Sequence, residues 1–130
     1  MTLLNVADTL ANILGFESIS AGNLDSNLDR AVGVYNPKQS GNHKICIGGK
    51  ACTKTLEKRI SILIHWTDNP TVCEQEAELI METLTDVRNY KTDNYTVHFI
   101  SCNNPVDVGR DDRGTCEYVI EANLYYERND

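Results

Sequence analysis

The side chains with chemical reach in this sequence are three histidines, five cysteines and a surplus of carboxylates. His65 and His98 both fall in alternating, strand-like runs. An imidazole facing a cysteine across a sheet would form a thiol–imidazole pair able to act as nucleophile and base. A strand histidine that simply hydrogen-bonds a neighbour is the commoner arrangement, and a structural role is expected for both. Asp111 and Asp112 are adjacent carboxylates, but they stand in Arg110-Asp111-Asp112-Arg113-Gly114, whose charge and closing glycine describe a solvated turn. No Gly-x-Ser-x-Gly elbow, phosphate loop, dinucleotide fingerprint or His-Glu-x-x-His helix occurs, and Gly48-Gly49-Lys50 is too short to cradle a phosphate. No catalytic or cofactor-binding residue is therefore assigned. A protein that is not an enzyme and carries no cofactor is expected.

The cysteines (Cys46, Cys52, Cys73, Cys102 and Cys116) are odd in number and lack the dense spacing of a disulfide framework. Free thiols are expected. Five residues separate Cys46 from Cys52 and no His-x-x-x-His partner exists, so no metal site is assigned. Nineteen acidic residues against twelve Lys and Arg give a net charge of −7. That charge repels phosphate backbones and argues against sequence-independent nucleic-acid binding. Apolar runs such as Ile60 to Ile64 are far shorter than the roughly 20 residues of a membrane helix. The start, Met1-Thr2-Leu3-Leu4-Asn5, lacks the basic region and cleavage site of a signal peptide, so synthesis in the cytoplasm is expected.

The elements that would carry these residues follow from periodicity. Leu3, Val6, Ala7, Leu10, Ile13 and Leu14 recur at helical spacing, and Gly15 supplies a stop. Residues 17–29 are small, polar and aperiodic, hence a loop. Ala31–Tyr35 and Lys44–Ile47 are short strand-like runs about a Pro-, Gly- and Asn-containing tip, which predicts a hairpin. Lys58 to Trp66 alternates, with Ile60, Ile62, Ile64 and Trp66 on one face. Asn69 or Thr71 can cap the helix that follows, with Pro70 in its first turn and a stripe of Cys73, Ala77, Ile80, Leu84 and Val87. A strand is predicted over Tyr95 to Ser101, with Tyr95, Val97 and Phe99 sharing a face, and the long run Thr115 to Arg128 predicts an amphipathic last strand. Residues 1–130 then form a single α+β domain: a mostly antiparallel or mixed sheet of about five strands packed by two helices.

Two segments carry a family resemblance: Lys58-Arg59-Ile60-Ser61-Ile62-Leu63-Ile64-His65-Trp66 running into the Glu-rich Thr71 to Leu84 helix, and the closing Gly114-Thr115-Cys116-Glu117-Tyr118-Val119-Ile120-Glu121-Ala122-Asn123-Leu124-Tyr125-Tyr126-Glu127-Arg128. Together they resemble the minor capsid or tail terminator proteins of long-tailed phages and prophages of Gram-positive bacteria. The resemblance implies a virion protein made in the host bacterial cytoplasm. It also implies assembly as a homo-oligomer, a hexameric ring that ends the tail tube and joins it to the head. Its partners would be the tail tube protein and the head–tail connector protein, with DNA passing through unbound and no membrane involved. An acidic lumen suits such passage, because like charge prevents the counterion release that holds DNA.

Exposure and charge nominate the hairpin tip at Lys38 and Gln39 and the turn Arg110, Asp111, Asp112 and Arg113 as contacts to a neighbouring subunit or to the tube. Three other readings compete. A stopper or head-completion protein shares this class. A small ligand-binding module or enzyme would need His65 or His98 beside a cysteine in a pocket. A nucleic-acid platform on Tyr95, Tyr118 and Tyr125 would need basic flanks, where this sequence has Glu117, Glu121 and Glu127.

Overall fold

The computed structural model describes residues 1–37 and 55–129. The predicted strand Lys44–Ile47, the cysteines Cys46 and Cys52, and the tip residues Lys38 and Gln39 lie outside the described residues.

The first helix, α1 (Leu3–Leu14), is closed at both ends by its own sequence. The Thr2 hydroxyl accepts the Asn5 N–H at 3.2 Å while Asn5 Oδ1 accepts the Thr2 N–H at 2.9 Å, a reciprocal cap that satisfies two otherwise orphaned donors. Gly15 ends the helix at φ 77°, a left-handed conformation that a side chain would strain. Val6, Ala7 and Leu10 on the inward face are wholly buried.

The second helix, α2 (Pro70–Thr85), is capped by Asn69, whose Oδ1 accepts Thr71 N–H at 3.0 Å and Val72 N–H at 3.4 Å. The alternative cap at Thr71 loses because Pro70 fits the first helical position, where its missing N–H costs nothing. The expected stripe holds: Cys73, Ala77, Ile80 and Leu84 are buried, with Val87 just beyond the helix.

Among the described residues, seven strands form one mixed sheet: β1 (Ser20–Ala21), β2 (Arg30–Tyr35), β3 (Leu56–Trp66), β4 (Tyr90–Lys91), β5 (Tyr95–Cys102), β6 (Val106–Arg110) and β7 (Cys116–Arg128). Their order is β1-β2-β3-β7-β5-β4, and β6 also pairs with β7. Only β1 and β2 run parallel. One side of β7 is therefore occupied by β3, and the other is divided between β6 near its start and β5 near its end.

The pleat sorts side chains into two faces. Val32, Val34, Ile60, Ile62, Ile64, Tyr118, Ile120, Ala122 and Leu124 point to the helices and join them in one core. The opposite face, open at its centre, carries cross-strand rows read from the register: Gly33–Leu63–Val119–Val106, Ala31–His65–Glu117–Gly109 and Glu57–Tyr125–Phe99. Leu24 rests on Gly33, where a Cβ would approach the Tyr35 ring to 3.1 Å and the Leu24 side chain to 3.3 Å, so the loop after β1 packs closely over this end of the sheet.

The phase of β5 departs from expectation. Simple alternation groups Phe99 with Val97, but a bulge between them inserts His98 as an extra residue. Phe99 is thereby turned to the open face, where it stacks on Tyr125 at 4.5 Å, and Ile100 takes the core position. Three short elements also depart from the sequence reading: β1 lies within the predicted loop 17–29, β4 within what reads as a break at residues 89–94, and β6 follows Pro105 directly.

Candidate functional site

The charged turn connects β6 to β7, and its shape comes from Asp111. Oδ1 of Asp111 accepts the backbone N–H groups of Arg113 and Thr115, both at 2.9 Å. The chain closes through Gly114 N–H to Asp111 O at 3.0 Å, with Gly114 at φ 83°. The N–H donation from Thr115 leads the influences that hold the Asp111 carboxyl below its ordinary range, followed by that from Arg113 and by the nearby His65 ring. Asp112 and Arg113 project into solvent.

Both arginines of this turn are positioned by neutral acceptors. Arg110 Nη1 donates to Gly114 O at 2.7 Å and to Asp68 O at 3.0 Å, tying the turn to the segment that enters α2. Arg113 Nη1 donates to Asn27 Oδ1 at 3.0 Å, tying it to the loop between β1 and β2. The guanidinium charges are held in place without a carboxylate partner of their own among these bonds. A fixed, solvent-facing positive charge on an acidic chain suits electrostatic recognition rather than covalent chemistry.

Beneath the turn lies His65, wholly buried, with Nδ1 at 3.1 Å from Glu117 Oε2 and 3.7 Å from Asp111 Oδ2. Its Nε2 is buried without a hydrogen-bond partner among the described residues. Sequence reasoning places His65 on a strand with a hydrogen-bonded neighbour but misses this meeting. Only the β3–β7 register, which sets His65 opposite Glu117, and the hairpin that folds Asp111 back over them bring the three together.

His98 behaves as a surface residue, with Nδ1 at 3.4 Å from Asn89 Oδ1 and Nε2 at 3.5 Å from Glu127 Oε2. Among the described residues, neither of these histidines hydrogen-bonds a cysteine. Cys73 instead donates its S–H to the Cys116 carbonyl at 3.5 Å, and burial leads the effects that push its thiol up to about 11. Such a thiol packs as a small apolar group and is a poor nucleophile at neutral pH. Among the described residues, no group of three or more His, Cys, Asp and Glu side chains could hold a metal ion.

A shallow groove of about 500 Å³ separates α2 from the β5–β6 connection, with Glu74, Glu78 and Asp107 at its walls and Tyr118 at its base. The Tyr118 hydroxyl donates to Glu74 Oε2 at 2.9 Å, and that bond is the leading reason its phenol is pushed up to about 12. The groove holds no base, nucleophile and oxyanion donor converging on one point, which is the arrangement acyl or phosphoryl chemistry requires.

The sequence matches the family described as Bacteriophage tail terminator protein over residues 9–128. The chain belongs to this family. No curated protein matches it. Membership in the tail terminator family makes the chain a structural protein of the phage tail and associates it with the virion. The match begins midway along α1 and takes in the whole of α2, the described sheet and the β6–β7 turn. No described helix is long and apolar enough to cross a membrane.

Proposed function

We propose that the chain is a ring-forming terminator subunit that ends tail-tube growth and presents a joining surface to the head. The Arg110–Arg113 turn is one of its contacts, to a neighbouring copy or to the tail tube protein. The observation that carries this reading is the construction of the turn: two arginines fixed by neutral acceptors, at the end of a strand whose residues are all exposed. On β6 itself Val106 and Val108 are 57% and 52% exposed. Apolar side chains next to an ordered charge pair are what an interface core with a polar rim looks like before assembly.

A ring follows from such contacts when they are heterologous and the rotation between copies closes. The net charge of −7 suits a passage through which DNA slides, since an acidic wall offers no counterion-releasing contacts. The head–tail connector protein is the further partner on this reading, and Lys38 and Gln39 remain proposed contacts beside the turn.

Light scattering across protein concentration and salt, with negative-stain images of any large species, tests the ring. Closed particles with a central hole are the expected result. Reversing Arg110 and Arg113 together to Glu is expected to weaken self-association or tube-end binding about tenfold or more. Unaltered assembly and tail joining by that variant would exclude the turn as a contact.

A further inference from the structure

His65 is used by nothing proposed above, and it is the wholly buried imidazole whose surroundings are least balanced. Its Nδ1 faces Glu117 Oε2 at 3.1 Å and Asp111 Oδ2 at 3.7 Å, while its Nε2 meets no partner. Asp111 cannot swing away freely, because its other oxygen already accepts two backbone N–H groups of the turn. We propose that His65 is a proton-responsive clasp for the Arg110–Arg113 turn. In this device the cationic ring holds Asp111 and Glu117 together, and the neutral ring keeps only Glu117. As a regulatory feature of an assembly contact, the clasp rests on the reading of that turn given above.

The argument follows from counting protons. A neutral imidazole has one N–H, and the shorter contact places it on Nδ1 facing Glu117, leaving a bare lone pair at Nε2. Nothing in that state pulls on Asp111 beyond the bonds of the turn itself. A second proton adds to Nε2 and spreads positive charge over the buried ring, which then attracts both carboxylates. The opposing cost is an Nε2–H with no acceptor.

The other charges near the ring are few. From β7 comes Glu117, and from the turn Asp111 with Arg113 behind it. Arg110, at the end of β6, is directed to the carbonyls of Asp68 and Gly114. From β2, Arg30 adjoins Ala31, the register partner of His65, and lies over the Trp66 ring. The two carboxylates closest to the ring are therefore the ones that its charge governs. Imidazole is the side chain that changes charge across the pH range in which proteins assemble.

The test is an NMR titration of the intact protein between about pH 5 and 8, following the His65 ring together with the Asp111, Arg113 and Thr115 amides. The clasp predicts one shared midpoint for ring and turn amides. Asp111→Asn keeps the acceptor oxygen that shapes the turn but removes its charge, and is expected to lower that midpoint. Turn amides that stay silent while His65 titrates, an imidazole that does not titrate in this range, or a midpoint unmoved by Asp111→Asn each overturn the proposal. His65→Gln should abolish the pH response of the turn. Should that core variant not fold, Asp111→Asn and Glu117→Gln decide the matter alone. Light scattering at the same pH values separates the two readings. A clasp that titrates while association ignores pH leaves the clasp standing and removes the turn as a contact.

Discussion

At the scale of single residues, the structure shows how a carboxylate changes what its neighbour can do. Asp111 shapes a turn with one oxygen and faces His65 with the other. Glu74 holds the proton of Tyr118, whose phenol is pushed up to about 12 by that hydrogen bond and by burial. Because the folded value lies above the ordinary one near 10, the stabilisation from this pair is complete below pH 10 and is lost as pH rises toward 12. A spectrophotometric titration of tyrosine should show the Tyr118 phenol ionising late, and Glu74→Gln should bring it back toward 10. The thiols give a second residue-scale expectation: Cys73 and Cys116, both buried, should resist a thiol reagent in the native protein and react only on unfolding. From sequence, Asp111 is legible as a turn residue and Cys73 as a packing group, because local spacing fixes both. The His65 pairing is not, since it depends on which strand lies beside which.

At the scale of elements, α2 is unusual in its charges. Glu74, Glu78, Glu82 and the capping Asp86 follow one another at every fourth position, and the helix contains no Lys or Arg. Like charges so spaced each cost a few tenths of a kcal/mol. Glu78→Lys, which turns two repulsions into attractions, is expected to raise stability by about 0.5–1 kcal/mol in chemical denaturation. Asn69→Ala should lower it by about 1 kcal/mol through loss of the cap. Both helices are readable from sequence because their stripes and caps are local signals. In β5 the reading fails at one point: a bulge leaves no mark in composition, so the phase after His98 is wrong by one residue and Phe99 is grouped with Val97. The two-residue strands β1 and β4 are too short to show a period at all.

At the scale of the whole molecule, one core joins both helices to one face of the sheet, and its central register is Val34–Ile62–Ile120. Ile62→Ala, at a position with no exposure and neighbours on both sides, is expected to cost about 3 kcal/mol of stability, measurable by denaturant unfolding. The α+β class was legible because helical and strand periods alternate cleanly along the chain. Strand order was not, because pairing partners are distant in sequence. The tail role came from a resemblance and then from the family match, not from any cluster of reactive groups. The placement of β7 has a kinetic consequence. It is the last strand in the described chain, yet β3, β5 and β6 all depend on it for pairing. Leu56 must find Tyr126 and His65 must find Glu117 before the two sides of the sheet join, so distant contacts dominate. Refolding on the slow, millisecond-to-second end of small domains follows. During synthesis the edges of β3 and β5 wait unpaired until residues 116–128 have left the ribosome, an interval in which the growing chain is most open to mispairing with its own copies.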